Sequence, residues 1–350
     1  MASVGVGIIG SKFAGDFHCD SYQRHPRAKL VAVASPNSPK ALADKWHIPH
    51  THSDYHDLLK RDDIQLVSIC APNSMHHEMT IAAAEAGKHV LCEKPLATSV
   101  EDGRAMLDAC REHGVKLFYA EDWVFAPALK RVAEIVAEGG IGEVLYVKAK
   151  EAHSGTHSPY AKNAETCGGG SLIHLGVHPV AWIIQFLSDG GKNPVKEVMG
   201  KTNAGAGGNF VHKNNGGEDW ALGVMTFENG QQAFVEGNYI TVGGMDDKVE
   251  IYGTGGAIKA DLSFGSPLSV YSRPGYGYAV EKADNTLGWT RPAVDEFYNL
   301  GYEHEIGYAV DCVLNDTEPM YSASGELGLE ALRIIDAMYR SNREGKTIAV

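Results

Sequence analysis

The first third of the chain alternates short, continuous apolar runs with segments of helical periodicity. Continuous apolar runs are typical of parallel strands, because both faces of such strands are covered by helices. Five strands are predicted, at residues 4–9, 29–34, 66–70, 89–92 and 116–119. Five helices are predicted with them, at residues 15–24, 39–46, 54–60, 76–86 and 100–112. This βαβ series predicts an α/β domain over residues 1–125, with a doubly wound parallel sheet.

After residue 125 the pattern changes to longer strands, several of which alternate apolar and polar side chains. Strands are predicted at 144–152, 195–202, 220–227, 232–240, 247–252 and 257–262, and helices at 128–138, 302–313 and 324–343. Alternation and short turns, such as Glu228-Asn229-Gly230, are typical of antiparallel sheets with one open face. We therefore predict a second α/β domain over residues 126–350 with a large, mostly antiparallel open sheet. The glycine-rich stretch 205–217 predicts a mobile loop.

Composition excludes several classes of function. The chain has 350 residues and a formal net charge of -13, which opposes binding to the phosphates of nucleic acid. No apolar run approaches the roughly 20 residues that span a bilayer, so no membrane partner is expected. Because the first strand pattern begins at Val4, with no basic segment before it, we expect a cytoplasmic protein. The six cysteines are scattered, which predicts reduced thiols.

The turn between the first strand and the first helix has the glycine spacing of a dinucleotide site. Gly10 permits a tight turn and Gly15 permits close packing of helix on strand, but Lys12 replaces the middle glycine that normally lets the backbone approach a pyrophosphate. An ordinary βα turn is therefore the alternative. We predict that the cofactor binds along this turn, at Gly10, Ser11, Lys12, Phe13 and Ala14.

The end of the second strand bears on the choice between NAD and NADP. Ser35 and Asn37 stand where a carboxylate normally binds the ribose 2'-hydroxyl, and Lys40 is close enough in sequence to neutralise a 2'-phosphate. Both cofactors therefore remain open. The lack of an arginine soon after Ser35 slightly favours NAD.

Several motifs occur in the order found in one enzyme family. They are Ala71-Pro72-Asn73-Ser74-Met75-His76, Glu93-Lys94-Pro95, Gly168-Gly169-Gly170 with Gly176-Val177-His178, Tyr252-Gly253-Thr254-Gly255-Gly256, and Asp311 with Glu318-Pro319. Through these motifs the chain resembles the Gfo/Idh/MocA oxidoreductases. The resemblance implies a Rossmann domain followed by an α/β domain, and oxidation or reduction of sugars, inositols and related cyclic alcohols with NAD(H) or NADP(H). It also places Ala71, Pro72, Asn73 and His76 near the cofactor, with helix capping as the rival role for Asn73.

Oxidation of a secondary alcohol requires a group that accepts the hydroxyl proton while hydride leaves the carbon. We predict that Lys94 stabilises alkoxide character, and that Glu93 orients or balances it beside the cofactor. By the resemblance, His178 matches a histidine of acid/base function, and many relatives carry aspartate at the position of His174. Because residues four apart on a helix share a face, His174 and His178 are predicted to serve one catalytic cleft.

Other polar and aromatic residues are candidates for the substrate pocket. Trp123, Phe125 and Tyr160 are predicted pocket walls, with core packing as the alternative. His153 and His157 lie in a polar segment that we assign to substrate binding, together with His174. The spacing of His174 and His178 would also suit a metal, with Glu151, His153 and His157 as further ligands. We predict no metal, because the family chemistry needs none.

These observations predict an NAD(P)-dependent enzyme that interconverts a secondary alcohol and a ketone on a polyhydroxylated small molecule. An alternative is a glycoside-cleaving enzyme that retains its cofactor and acts by transient oxidation and elimination. A non-catalytic ligand sensor is disfavoured by the presence of both Lys94 and His178. We expect a homodimer or homotetramer, because an open sheet would otherwise leave apolar surface exposed.

Overall fold

The computed structural model describes residues 2–203, 208–263, 268, 270–277, 285–291 and 295–350. The chain divides into two compact units. The first unit consists of Met1–Phe125 with Gly301–Leu332, and the second of Ala126–Leu300 with Arg333–Val350.

The first unit is built on a six-stranded parallel sheet. Its elements up to residue 125 are β1 (Val4–Ile9), α1 (Phe13–Arg24), β2 (Ala28–Ala34), α2 (Pro39–Trp46), β3 (His50–His52), α3 (Tyr55–Leu59), β4 (Leu66–Ile69), α4 (His76–Glu85), β5 (His89–Glu93), α5 (Val100–Glu112), β6 (Leu117–Ala120) and α6 (Asp122–Phe125). The strand order is β3-β2-β1-β4-β5-β6. The chain therefore adds β2 and β3 on one side of β1 and then β4, β5 and β6 on the other side, although all six strands are parallel. In doubly wound sheets ligands bind beyond the carboxyl ends of the strands at such a change of side.

The second unit is built on a seven-stranded mixed sheet. The elements from residue 126 onward are α7 (Pro127–Ala137), β7 (Val144–Ala152), α8 (Ala164–Cys167), α9 (Ser171–His174), α10 (Val177–Leu187), β8 (Val195–Thr202), β9 (Trp220–Phe227), β10 (Gln232–Asn238), β11 (Lys248–Gly253), β12 (Gly256–Asp261), β13 (Val270–Ser272), β14 (Gly288–Thr290), α11 (Glu296–Leu300), α12 (Tyr302–Asn315), α13 (Gly325–Glu344) and β15 (Ile348–Ala349). The strand order is β12-β11-β7-β10-β9-β8-β15, and only β7 and β10 pair in parallel among these strands. Helix α12 belongs to the first unit, where it packs on α1.

The two faces of this mixed sheet differ in burial. Helices α9 and α10 pack on one face, where Val147, Ala149 and Val235 are buried. The other face carries Leu222 and Phe234, which are 37% and 36% exposed. The strands therefore alternate in burial as their sequences predict.

The predicted doubly wound sheet and the predicted open sheet are both confirmed, and most element ends agree within two residues. Strand β3 was not predicted because His50, Thr51 and His52 form no apolar run. The 11-residue α10 and the short α6, α8, α9, α11, β13, β14 and β15 were likewise not predicted. Among the described residues, no single helix is both long and apolar enough to cross a membrane, although one bent pair, Ala164–His174 with Val177–Leu187, meets that test by length and composition alone.

Candidate active site

The turn before α1 requires glycine at the two positions that the sequence singled out. Gly10 has φ +113°, and a Cβ atom there would lie 2.2 Å from the Cys70 carbonyl oxygen. A Cβ atom on Gly15 would lie 2.6 Å from the Gly10 carbonyl oxygen. Lys12 is exposed, and Phe13 and Ala14 begin the helix. The first N–H groups of this 12-residue helix have no acceptor within the helix, and helix ends of this kind bind phosphate groups.

The end of β2 is tied to this turn by hydrogen bonds. The Ser11 hydroxyl donates to the Asn37 carbonyl oxygen at 2.9 Å. The Asn37 N–H donates to the Ser35 hydroxyl at 3.3 Å, and Ser35 is buried. Lys40 is exposed on α2, where its ammonium donates to Asp44 at 3.2 Å. Ser35 and Asn37, which are predicted to bind the ribose, therefore lie beside the turn. The Lys40 ammonium, predicted as a partner for a 2'-phosphate, is instead paired with Asp44.

His76 links the turns that follow β4 and β5. Its ring is fully buried, with Nδ1 2.9 Å from the Pro95 carbonyl oxygen and Nε2 3.0 Å from the Ala71 carbonyl oxygen. Burial lowers the pKa of His76, whereas the hydrogen bonds to the two carbonyl oxygens act in the opposite direction. His76 thus holds the backbone in place at the carboxyl ends of β4 and β5, and its ring is not exposed. The neighbouring Asn73 is also buried, in a 3-10 turn.

The Glu93 carboxylate binds the backbone of Lys94. One carboxylate oxygen of Glu93 lies 3.0 Å from Nε2 of His18, and the other accepts the Lys94 backbone N–H at 3.1 Å. His18 lies on α1 and is fully buried. The helix that follows the glycine turn is therefore connected to the backbone of the predicted catalytic lysine. No local pattern in the sequence indicates His18, because it is 75 positions from Glu93 and the two residues belong to different βα segments.

His174 and His178 do not share one helix, contrary to the sequence prediction. Helix α9 ends at His174, α10 begins at Val177, and the chain bends by 51° between the segments. Pro179 explains the break, because it has no N–H to donate and its ring clashes with the carbonyl four residues earlier, that of Leu175. The His178 N–H instead donates to this carbonyl at 3.1 Å. The four-residue spacing therefore gives no shared helical face here.

The buried His178 has an acidic neighbour on β7. Its Nε2 atom lies 3.6 Å from Oε2 of Glu151, and both side chains are 5% exposed. This separation is within ion-pair range but longer than a hydrogen bond. A carboxylate so close favours the imidazolium form that a histidine takes after accepting a proton.

His174 is in a second group of side chains around Tyr239, the residue after β10. The Tyr239 hydroxyl lies 2.5 Å from Nδ1 of His174. The buried His153 ring is centred 5.6 Å from the Tyr239 ring, and His212 donates from Nε2 to the Tyr239 carbonyl oxygen at 2.8 Å. The Tyr160 ring meets His174 edge-on, with 6.4 Å between centroids. Tyr239 and His212 were not among the predicted site residues.

The glycine run before α9 is fitted around Glu218. A Cβ atom on Gly170 would lie 2.2 Å from the Glu218 carbonyl oxygen. The Glu218 carboxylate accepts the Leu172 N–H and the Tyr339 hydroxyl, each at 2.8 Å. Burial raises the pKa of Glu218. This buried carboxylate fixes the start of α9 and, through it, the position of His174.

Asp219, the residue after Glu218, anchors the loop that precedes Glu218. The Asp219 carboxylate accepts the N–H groups of Phe210, Val211 and His212 at 3.0, 2.7 and 2.8 Å. Residues 205–207 of the predicted mobile loop lie outside the described residues, but 208–217 include this anchored segment. The anchoring places the His212 ring against Tyr239.

The remaining predicted pocket residues differ in exposure. Trp123 and Phe125 are each 1% exposed, and the Phe125 ring packs 5.6 Å from that of Tyr308. Their rings leave almost no surface for a sugar to cover, so the core alternative describes them better. Tyr160 is partly exposed and His157 is exposed. In the described part of the second unit, no three ligand atoms from Glu151, His153, His157, His174 and His178 lie within 4.8 Å of one another.

The two halves of the chain match the two domains of one oxidoreductase family. Residues 4–121 match its NAD-binding Rossmann fold, and residues 133–350 match its C-terminal α/β domain. The uncharacterized oxidoreductase YrbE of Bacillus subtilis (strain 168) is 30% identical over 99% of this chain and 96% of that protein. Inositol 2-dehydrogenase of Rhizobium meliloti (strain 1021) is 27% identical over 99% of both chains.

A solved structure shows the same arrangement of elements. The crystal structure of GenD2 from gentamicin A biosynthesis, in complex with NAD, has a TM-score of 0.90 and 27% sequence identity to this chain. The match covers 100% of this chain and 97% of GenD2. The protein is thus an oxidoreductase of the Gfo/Idh/MocA family.

Proposed function

We propose that this protein is a dehydrogenase that uses a nicotinamide dinucleotide to interconvert a secondary alcohol and a ketone on a sugar, a sugar derivative or a cyclitol. The observation that carries the proposal is the connection from the glycine turn to Lys94. His18 on α1 binds Glu93, and Glu93 binds the backbone of Lys94. The helix that follows the glycine turn and the backbone of Lys94 are thereby connected at the same edge of a parallel sheet, where such sheets bind ligands.

The residues of the first unit fit a dinucleotide. The backbone around Gly10 leaves no room for a side chain, and the start of α1 supplies N–H groups for the pyrophosphate. When bound, the nicotinamide supplies the hydride acceptor or donor. Ser35 and Asn37 would hold the ribose hydroxyls. We favour NAD over NADP, because Lys40 is paired with Asp44 and no arginine follows Ser35 closely.

Lys94, His178 and His174 have different roles toward the substrate. The Lys94 ammonium donates a hydrogen bond to the reacting oxygen and stabilises its negative charge. His178 accepts the hydroxyl proton, and Glu151 stabilises the resulting imidazolium. His174 binds a substrate oxygen. Together with His153 and Tyr160, these polar side chains suit a molecule that carries several hydroxyl groups.

We further propose that residues 1–125 bind the dinucleotide and residues 126–350 bind substrate and a second copy of the chain. The open face of the mixed sheet supports this assembly. It exposes the apolar Leu222 and Phe234 beside the charged Lys148 and Glu250. Exposed apolar patches beside charged residues are typical of protein–protein interfaces. A homodimer or homotetramer would cover them.

Calorimetric titration tests the cofactor assignment. We expect the protein to bind NAD and NADH more tightly than NADP and NADPH. Gly10→Ala should abolish binding, because its Cβ atom would meet the Cys70 carbonyl. Gly87→Ala is the matched control: Gly87 also has positive φ, +68°, but a Cβ atom there meets nothing within 4 Å. Failure of the unmodified protein to bind any of the four dinucleotides would overturn the proposed function.

A further inference from the structure

Tyr239 is fixed in the second unit by its own backbone. Its N–H donates to the Asp219 carbonyl oxygen at 2.8 Å, and its carbonyl oxygen accepts Nε2–H of His212 at 2.8 Å. His212 is in turn held by the Asp219 carboxylate, which accepts its backbone N–H. The side chain of Tyr239 is 1% exposed. Its hydroxyl therefore has a defined position and no access to bulk water.

Among the described residues, the Tyr239 hydroxyl has one hydrogen-bond partner, Nδ1 of His174 at 2.5 Å. Burial raises the pKa of Tyr239 well above 10.0, so the hydroxyl keeps its proton. A buried O–H without an acceptor costs about 1–3 kcal/mol. If His174 carried its proton on Nδ1, the hydroxyl could only accept, and its own proton would lack a partner. The arrangement that satisfies both groups has the hydroxyl donating to an unprotonated Nδ1.

We propose that Tyr239 is a positioning residue that holds His174 in the Nε2–H tautomer. In this tautomer a neutral imidazole carries its proton on Nε2, and neither ring nitrogen can accept a hydrogen bond from the substrate. His174 therefore donates a hydrogen bond to a substrate oxygen and does not remove a proton from it. This inference rests on the proposed function for the substrate, and it assigns the two histidines different roles: His178 accepts the proton and His174 binds.

The tautomer also predicts which substrates are accepted at this position. An aspartate, which the family resemblance places at this point in many relatives, can only accept a hydrogen bond when ionised. His174 held by Tyr239 can only donate. We infer that the substrate presents an accepting oxygen here, such as a carbonyl, ether or carboxylate oxygen or a hydroxyl lone pair. A substrate group that can only donate is disfavoured.

The tautomer is measured directly by NMR of the unliganded protein with ¹⁵N-labelled histidine rings. The His174 signals are identified by their loss in His174→Asn. We expect the unmodified protein to show protonated Nε2 and unprotonated Nδ1. In Tyr239→Phe the ratio of Nε2–H to Nδ1–H should fall at least about five-fold, because the donated hydrogen bond is lost.

Tyr146→Phe is the matched control, because it removes another tyrosine hydroxyl of the second unit, on a ring that packs edge-on against Phe234 on the sheet face opposite α9. Its His174 tautomer ratio should equal that of the unmodified protein. Protonated Nδ1 in the unmodified protein, or an unchanged ratio in Tyr239→Phe, would overturn the inference. The spectra need neither cofactor nor turnover, so this result is independent of the cofactor titration that tests the proposed function.

Discussion

The Nε2 atom of His178 lies 3.6 Å from Oε2 of Glu151, and both side chains are buried. Glu151 is the second-last residue of β7, and His178 is the second residue of α10. The pairing therefore depends on how the helix packs on the sheet, not on sequence spacing. If His178 is the base, Glu151 stabilises the positive charge that develops on the ring during proton transfer.

Replacing Glu151 by glutamine should lower turnover about 10- to 100-fold, because the neutral amide no longer stabilises the imidazolium. In the His178→Ala background, the same replacement should have almost no further effect. Steady-state rates of the two single variants and the double variant measure this coupling. Glu143→Gln is the control, because Glu143 is exposed just before the same strand. An equal fall in turnover from Glu151→Gln in the unmodified and His178→Ala backgrounds would show that Glu151 does not act through His178.

Replacing Lys94 by alanine should lower turnover by about 100-fold or more, because the developing charge on the substrate oxygen loses its hydrogen-bond donor. Cofactor affinity should change little, because Glu93 binds the backbone N–H of Lys94, which the variant retains. Lys94→Met should be as slow as Lys94→Ala. Rates within a few-fold of the unmodified enzyme would exclude Lys94 as the catalytic cation.

Treatment with a chelator should leave turnover unchanged. The alternative metal set was Glu151, His153, His157, His174 and His178. In the described part of the second unit, no three ligand atoms from this set come within 4.8 Å of one another. Activity measured before and after incubation with EDTA and dialysis tests the prediction. Loss of activity that zinc or manganese restores would make the histidines ligands and require a metal-polarised oxygen.

Glu218 should make stability depend on pH. Burial raises its pKa in the folded state above the unfolded value, so the folded protein binds a proton that the unfolded chain has released. The contribution of Glu218 to stability is therefore fully present below the unfolded pKa and is lost as pH rises through the folded pKa. Glu218→Gln keeps the acceptor for Leu172 and Tyr339 but does not titrate.

Urea unfolding from pH 4 to pH 8 compares the two proteins. The free energy of unfolding of the unmodified protein should fall relative to that of Glu218→Gln as pH rises above the ordinary glutamate pKa. The exposed Glu143→Gln variant should follow the unmodified protein at every pH. A constant difference between the unmodified protein and Glu218→Gln across this range would show that Glu218 has the same pKa folded and unfolded.

The sequence predicted those features that depend on periodicity and on single residues with unusual backbone needs. Continuous apolar runs located β1, β2, β4, β5 and β6 within two residues, and the glycine spacing after the first strand identified Gly10, whose φ of +113° requires glycine. Both are local properties of the chain, so one sequence is enough to recognise them.

The sequence did not predict how the site residues pair, because pairing depends on tertiary packing. Glu93 and His18 are 75 residues apart, and Tyr239 and His174 are 65 apart. The error about His174 and His178 has a local cause: the helical spacing was counted across a break that Pro179 imposes. Pro179 itself indicates this break in the sequence, because proline has no N–H to donate to the Leu175 carbonyl oxygen in a continuous helix.

The most direct measurement of the central claim is a panel of polyols, inositols and glycosides assayed with NAD and NADP. Absorbance of the reduced nicotinamide and the released products are followed together. We predict that at least one polyhydroxylated alcohol yields one ketone for each reduced cofactor formed, faster with NAD than with NADP, and that Lys94→Ala loses this activity. Release of an aglycone without net reduction of cofactor would contradict the claim and establish the glycoside-cleaving alternative.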